Sequence, residues 1–321
     1  MENFNFVSKQ IYQEIVAAPK ILLVAHEKPD GDTLGATSAL AVFLDSLGKD
    51  YQIFCADPAP AFFYFLPNIN KFFNQAERLK QINFNLIITI DCADLKRTRL
   101  AEIFADREKE LKIINIDHHQ SNPSFGYLNL VLDSYSSTSE IIFQLLREWK
   151  INFNKEIATA LLNGIFTDTG AFTTPSTNLN SLTAASALLN FGGRLQEVSK
   201  NNFQNKTINA LRLWGRALSR LTINKRYQLA YTIIFEKDLE ELAATDDDLE
   251  GLANFFNNLN DARVSLVIRE EGENLRCSLR TTNNLDLSRL AKIFGGGGHA
   301  KASGFSISGK LVYIEGRWTV K

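Results

Sequence analysis

Three short runs early in the chain, KILLVA (20–25), NLIITI (85–90) and LKIINI (111–116), are continuously apolar and rich in Ile, Leu and Val. Runs of that length and composition form strands buried on both faces of a sheet. Between and after them, apolar positions recur at helical spacing in GATSALAVFLDSLG (35–48), SEIIFQLLREW (139–149) and KEIATALLNGIF (155–166). Strands alternating with helices predict an α/β domain, a doubly wound and mainly parallel sheet, over residues 1–190.

Residues 191–221 carry a Gly192-Gly193 break and the amphipathic stretch INALRLWGRALSRL (208–221), without a strand pattern, and are expected to form a helical connector. The period then changes. YQLAYTIIF (227–235), DARVSLVIRE (261–270) and NLRCSLRT (274–281) alternate as strands do, with EGEN (271–274) as a turn. Residues 222–321 should therefore make a smaller α+β domain containing the glycine-rich segment FGGGGHAKASGF (294–305). A chain of 321 residues suits two such domains better than one core, with an active site expected in the cleft between them.

Composition narrows the classes. Apolar residues make up 45% and no stretch approaches the ~20 apolar residues of a membrane span. The start, MENFNFVSKQIYQEIV, lacks the charged and apolar regions of a secretion signal, so a cytoplasmic protein is expected. Cys55, Cys92 and Cys277 are odd in number and lack CxxC spacing, which argues against a disulfide framework or a thiolate zinc site. With 35 basic and 36 acidic residues there is no global attraction for long duplex nucleic acid. A nucleic-acid substrate should be short, or held by a local basic pocket.

Each strong apolar run leads at once into acids and imidazoles. KILLVA runs into His26, Asp30 and Asp32, NLIITI into Asp91 and Asp94, and LKIINI into Asp117, His118 and His119. Asp168, in TDTG (167–170), follows the helical pattern 155–166. The carboxyl ends of parallel strands share one crevice, so these groups should converge. Taken singly each has a plain structural reading: Asp30-Gly31-Asp32 is a common turn and a lone histidine is usually a hydrogen-bonded loop residue. Three of the chain's four histidines at strand ends make accident a poor explanation. Carboxylates so crowded need cations. Imidazole and carboxylate donors without thiolate suit two divalent ions, Mn2+ first, with Mg2+, Co2+, Fe2+ or Zn2+ as alternatives. Two ions are the usual machinery for displacement at phosphorus. Gly31 is expected to make a tight loop that aims Asp30 and Asp32 at neighbouring ions.

HEKPDGD (26–32), IDCAD (90–94), IDHH (116–119), TDTG (167–170) and GGGGHAKASGF (295–305), in that order, resemble the motifs of the DHH phosphoesterases and their DHH-associated C-terminal domain. That family includes RecJ-type exonucleases, nano-RNases that also dephosphorylate 3′-phosphoadenosine 5′-phosphate, cyclic-dinucleotide phosphodiesterases and manganese pyrophosphatases. The resemblance implies that His26 and Asp30 bind one metal, that Asp32, His118 and Asp168 bind another, and that Asp91 bridges both. It gives Asp117 an orienting role and sets His119 against the scissile phosphate, with water attacking in line. In the C-terminal domain it implies phosphate contacts from Arg280, His299, Ser303 and the loop glycines Gly296, Gly297 and Gly298, with Arg263 a further candidate. The plainer alternatives are a flexible loop and a surface salt bridge.

The domain layout favours a nano-RNase with nucleotide 3′-phosphatase activity, acting on short single-stranded oligonucleotides or small nucleotides. A stand-alone cyclic di-AMP or pApA phosphodiesterase shares the layout, and a catalytically silent nucleotide sensor is the alternative of another class. Exopolyphosphatase activity calls for a long basic track that the near-neutral composition does not suggest. Phe62, Phe63, Tyr64 and Phe65 are expected to be packing residues rather than base-stacking ones, and Ser137 or Thr138 to cap the helix that follows.

Overall fold

The structure, a computed structural model, describes residues 2–105, 112–204, 206–314 and 317–321. It divides into two compact units, Met1–Asn205 and Lys206–Lys321.

The first unit runs α1 (Glu2–Ala17), β1 (Lys20–Ala25), α2 (Gly31–Ser46), β2 (Asp50–Phe54), β3 (Phe72–Phe73), β4 (Leu86–Ile90) and α3 (Ala101–Ala105). It continues with β5 (Lys112–Asp117), β6 (Leu128–Val131), α4 (Thr138–Glu148), α5 (Lys155–Asp168), α6 (Leu179–Asn190) and α7 (Leu195–Phe203). Its six strands form one parallel sheet in the order β3-β2-β1-β4-β5-β6. The three apolar runs are β1, β4 and β5, the central strands; Leu111, which opens the third run, lies outside the described residues. Their apolar continuity has a direct cause. Ile21 and Leu23 of β1 enter the core under α1, α2, α4 and α5, whereas Leu22 and Val24 enter the opposite core with Phe54, Ile87, Leu100 and Phe104. The order reverses between β1 and β4, so the loops after these two strands flank the switch point.

Helix α2 begins four residues before its apolar pattern, because Asp30 caps it by accepting from the Asp32 and Thr33 amides. Ser137 caps α4 as expected, accepting from the Glu140 amide. Phe63 is buried, Phe62 and Phe65 pack against the main core, and only Tyr64 is well exposed.

The second unit runs α8 (Ile208–Ser219), β7 (Thr222–Asn224), β8 (Leu229–Ile234), α9 (Glu236–Leu242), α10 (Leu252–Phe255), β9 (Val264–Glu271) and β10 (Asn274–Arg280). It ends with α11 (Leu287–Ile293), β11 (Gly297–Gly298), β12 (Ala302–Ser308) and the hairpin β13 (Leu311–Ile314) and β14 (Arg317–Val320). Its main sheet is mixed, in the order β11-β12-β10-β9-β8-β7 with only β8 and β9 parallel. Leu213 and Ala217 of α8 pack on Ile234, Leu252, Phe256 and Val267. Of the segment expected as a connector, α7 belongs to the first unit and α8 to the second. Apolar burial separates them: each helix buries its apolar side within its own unit.

Candidate metal centre

The first unit gathers the acids and imidazoles that follow its strands. His26 follows β1, Asp91 follows β4, and Asp117 ends β5 with His118 and His119 next in the chain; Asp32 lies in the first turn of α2 and Asp168 ends α5. Three sets of donors result among the described residues of this unit, one of them Asp91, Asp117 and His119. His26, Asp30 and Asp91 offer ligand atoms within 4.8 Å of one another, and so do Asp32, His118 and Asp168. Asp91 faces both. Its Oδ2 lies 3.5 Å from His26 Nε2 and its Oδ1 3.7 Å from His118 Nε2. His118 Nε2 is 3.2 Å from Asp168 Oδ2, and His26 Nε2 is 3.7 Å from Asp30 Oδ2. The His26 ring is fixed by a 2.6 Å hydrogen bond from Nδ1 to the Glu27 carbonyl, which in the neutral ring leaves the lone pair on Nε2.

Several contacts had no signal in the sequence. The amides of Thr138 and Ser139, at the start of α4, donate to Asp32 Oδ2 and Oδ1 at 2.6 and 2.8 Å. Thr33 Oγ1 donates to Asp91 Oδ2 at 2.6 Å, and Thr138 Oγ1 to Asp91 Oδ1 at 3.0 Å. Asp117 accepts from the His118 amide at 2.8 Å, from Asn122 Nδ2 at 2.6 Å and from His119 Nδ1 at 2.7 Å. Its imidazole partner is thus His119, for which a carboxylate sets the tautomer with Nδ1 protonated. The SYSSTSE run could have suggested the α4 contacts only to a reader who knew that α4 starts beside α2.

Gly31 does something other than form a loop. It is the first residue of α2, and a Cβ there would lie 2.4 Å from Thr167 Cγ2 of α5, so its role is close helix packing. Gly164, in the middle of α5, is tighter still: a Cβ would lie 1.9 Å from Ser139 Oγ and 2.6 Å from Asp32 Oδ1.

Five carboxylates around three imidazoles leave the centre short of positive charge. Burial opposes a charged His26, yet hydrogen bonds and charge from Asp30 and Asp91 prevail and raise its pKa to about 10. His118 is likewise raised, against burial, by Asp168, Asp91 and Asp32. Burial, with the charges of Asp91 and Asp168, pushes Asp32 well above the usual carboxylate range. Burial works to raise Asp91 too, but His26, His119 and His118 hold it below that range. Protons on the imidazoles thus supply part of a missing positive charge, which divalent cations at the same nitrogen and oxygen donors would supply in full; the donor set fits such ions. The three thiols take no part. All are free and buried, and burial pushes Cys55 up to about 12 and Cys277 up to about 11.

Residues 20–165 match the DHH family, N-terminal domain, and residues 226–314 match the DHHA1 domain. A bifunctional oligoribonuclease and PAP phosphatase from Thermus thermophilus, named NrnA, is 30% identical over 289 residues, covering 90% of this chain and 84% of its own length. The chain belongs to the DHH family. An NrnA from Bacillus subtilis is 28% identical over 298 residues, covering 89% of each chain. The solved structure of an exopolyphosphatase-related protein from Bacteroides fragilis superposes with a TM-score of 0.89 at 28% identity, over 95% of this chain and 92% of that one. As a DHH protein with such relatives, the chain is a metal-dependent phosphoesterase, a hydrolase. Among the described residues, no helix is long and apolar enough to cross a membrane.

The DHHA1 unit places the remaining candidates. Arg280 ends β10, with Nε donating to Asn254 Oδ1 at 2.6 Å and Nη1 to the Leu279 carbonyl at 2.9 Å. Arg263 is exposed just before β9, its carbonyl accepting from Thr281 Oγ1. Ser303 is buried and donates to the His299 carbonyl at 2.6 Å. The glycine run is an ordered turn rather than a flexible loop: Gly297 and Gly298 pair with Gly304 and Ser303 of β12. The amides of Gly295, Gly296 and His299 already donate to Lys292, Ala291 and Ala302 carbonyls. A Cβ on Gly296 would lie 2.1 Å from the Gly304 carbonyl oxygen, so close approach to β12 requires glycine there.

Proposed function

We propose that this DHH protein hydrolyses short oligoribonucleotides and nucleotide 3′-phosphates at a centre of two divalent ions, with Mn2+ the preferred metal. The observation that carries the reading is a pair of donor sets next to each other, with Asp91 a member of the first and its Oδ1 3.7 Å from His118 of the second. Support for the substrate class comes from the two relatives named for oligoribonuclease and PAP phosphatase activity. His26, Asp30 and Asp91 hold one ion, and Asp91, Asp32, His118 and Asp168 hold the other. When bound, the ions supply Lewis acidity and acidify water for in-line attack on phosphorus. His119, steadied by Asp117, polarises the phosphate or gives a proton to the leaving oxygen. Arg280, His299 and Ser303 grip a substrate phosphate, with Arg263 as a further contact and Gly296, Gly297 and Gly298 keeping the turn narrow. Substrates are small or single-stranded; long duplexes are not expected to bind.

The test is hydrolysis by the purified protein with Mn2+ of a matched panel: di- to pentanucleotide RNA, pApA, cyclic di-AMP, 3′-phosphoadenosine 5′-phosphate, pyrophosphate and polyphosphate. Mononucleotide release from short RNAs together with dephosphorylation of the adenosine bisphosphate is the expected result. Preference for cyclic di-AMP or pApA would replace it with a signalling phosphodiesterase, and silence with every metal would leave a nucleotide sensor.

A further inference from the structure

A bridging carboxylate has a particular geometric difficulty: it must keep one oxygen on each ion although rotation about its last side-chain bond would swing both off at once. Asp91 is built against that rotation. Its backbone sits in the left-handed region, at φ 60°, with its amide donating to the Ile116 carbonyl at 2.9 Å. Its carboxylate then accepts two hydroxyls from two different helices. Thr33, in the first turn of α2, donates to Oδ2 at 2.6 Å, and Thr138, the first residue of α4, donates to Oδ1 at 3.0 Å. Each oxygen offers about two acceptor directions, so one hydroxyl on each leaves one direction apiece; His26 Nε2 lies 3.5 Å from Oδ2, and His119 Nδ1 and His118 Nε2 lie 3.5 and 3.7 Å from Oδ1. Both threonines and Asp91 are almost fully buried, so water does not compete for these bonds.

Resting on the two-ion reading above, we propose that Thr33 and Thr138 are positioning residues that fix the orientation of Asp91 and thereby keep two ions bound as a pair. Thr138 couples the two donor sets. Its hydroxyl holds Asp91 while its amide, with that of Ser139, holds Asp32, a carboxylate of the second set only. The start of α4 therefore ties the shared ligand to an unshared one with a single residue. These are the amides a helix leaves unpaired at its first turn, and the positive end of its dipole faces a carboxylate that burial makes costly to ionise. Thr33 does the equivalent from α2: its hydroxyl holds Asp91 while its amide donates to Asp30, the helix cap and a carboxylate of the first set.

Thr33→Val and Thr138→Val remove one hydroxyl each at nearly constant shape. Mn2+ titration by calorimetry and the electron paramagnetic resonance of the loaded protein read the outcome without substrate. Wild type should bind two ions with the broadened spectrum of a coupled pair. Each valine variant should lose about 10- to 100-fold in affinity for one ion, the range seen when groups that orient metal ligands are removed. It should also show the six-line spectrum of isolated Mn2+, and Thr33→Ser or Thr138→Ser should restore the coupled signal. Coupled pairs of wild-type affinity in both valine variants would overturn the proposal and leave the two-ion reading intact. One ion in wild type would overturn both. A metal-free melting point lowered in the valine variants enough to account for the lost affinity would assign the hydroxyls to folding instead, and also overturns it.

Discussion

Replacing Gly164 by alanine tests whether the centre depends on how closely α5 approaches the start of α4. In a helix interior with free space this substitution stabilises by about 1 kcal/mol, because alanine loses less backbone entropy than glycine. At Gly164 the new carbon would lie 1.9 Å from Ser139 Oγ, 2.7 Å from Ser139 Cβ and 2.6 Å from Asp32 Oδ1. Ordinary contacts between such atoms are about 3.5 Å, so both groups must retreat by roughly an ångström or α5 must shift. Overpacking of this kind costs about 1–3 kcal/mol, which outweighs the helix gain. The expected net destabilisation reaches up to about 2 kcal/mol, or up to about 8 °C in melting temperature for a unit of this size. Asp32 moves with it, and misplacement by an ångström at a reacting centre can cost about 100-fold in rate. Gly215, in α8, is the control: an alanine Cβ there meets nothing within 4 Å, so Gly215→Ala should stabilise by about 1 kcal/mol. Differential scanning calorimetry of both metal-free variants, followed by Mn2+ titration, gives the comparison. A Gly164→Ala protein that melts above wild type and keeps its Mn2+ affinity would refute the packing argument.

Three further outcomes are expected. Asp91→Ala should abolish phosphoester hydrolysis and reduce Mn2+ stoichiometry below two, and unchanged turnover would break the two-ion reading. Arg280→Ala should raise KM for short oligonucleotides about tenfold with kcat little changed, as steady-state kinetics would show; an equal loss in kcat would move Arg280 into the chemistry. In the DHHA1 unit, burial alone would raise Asp238, but hydrogen bonds from Arg220, the Phe235 amide and Arg216 overcome it and hold the carboxyl down to about 2. A depressed folded-state pKa contributes stability above the ordinary carboxylate value and loses it as pH falls from about 4 toward 2, here about 2 kcal/mol. Chemical denaturation across that window should show the loss in wild type, and a pH-independent profile there would contradict the assignment.

Much of the centre was legible because a parallel strand delivers its next residue to the crevice whatever the rest of the fold does. His26, Asp91, Asp117, His118 and His119 needed only three apolar runs and the residues after them. Less regular pieces gave no such signal. Strand β2 reads DYQIF, with only Ile53 and Phe54 fully buried, and β3 is two residues long, so neither carries an apolar run. The glycine run reads as a phosphate cradle, whereas its Gly295 and Gly296 amides donate to carbonyls of α11 and Gly297 and Gly298 pair with β12. That pairing depends on a strand that begins only after the run ends.

By itself, the sequence determined the alternation of strands and helices, and which acids and imidazoles follow the strands and in what order, since these follow from local periodicity and from the residues after each apolar run. Only the tertiary structure decided that Thr138 reaches Asp91 across 47 residues and that its amide reaches Asp32 across 106. It also decided that Gly164 lies against both Ser139 and Asp32. Threonine hydroxyls, helix-start amides and glycines are common everywhere in proteins, so their chemistry carries no address. They acquire a role only when two helices pack closely enough to leave room for nothing larger than a hydrogen atom.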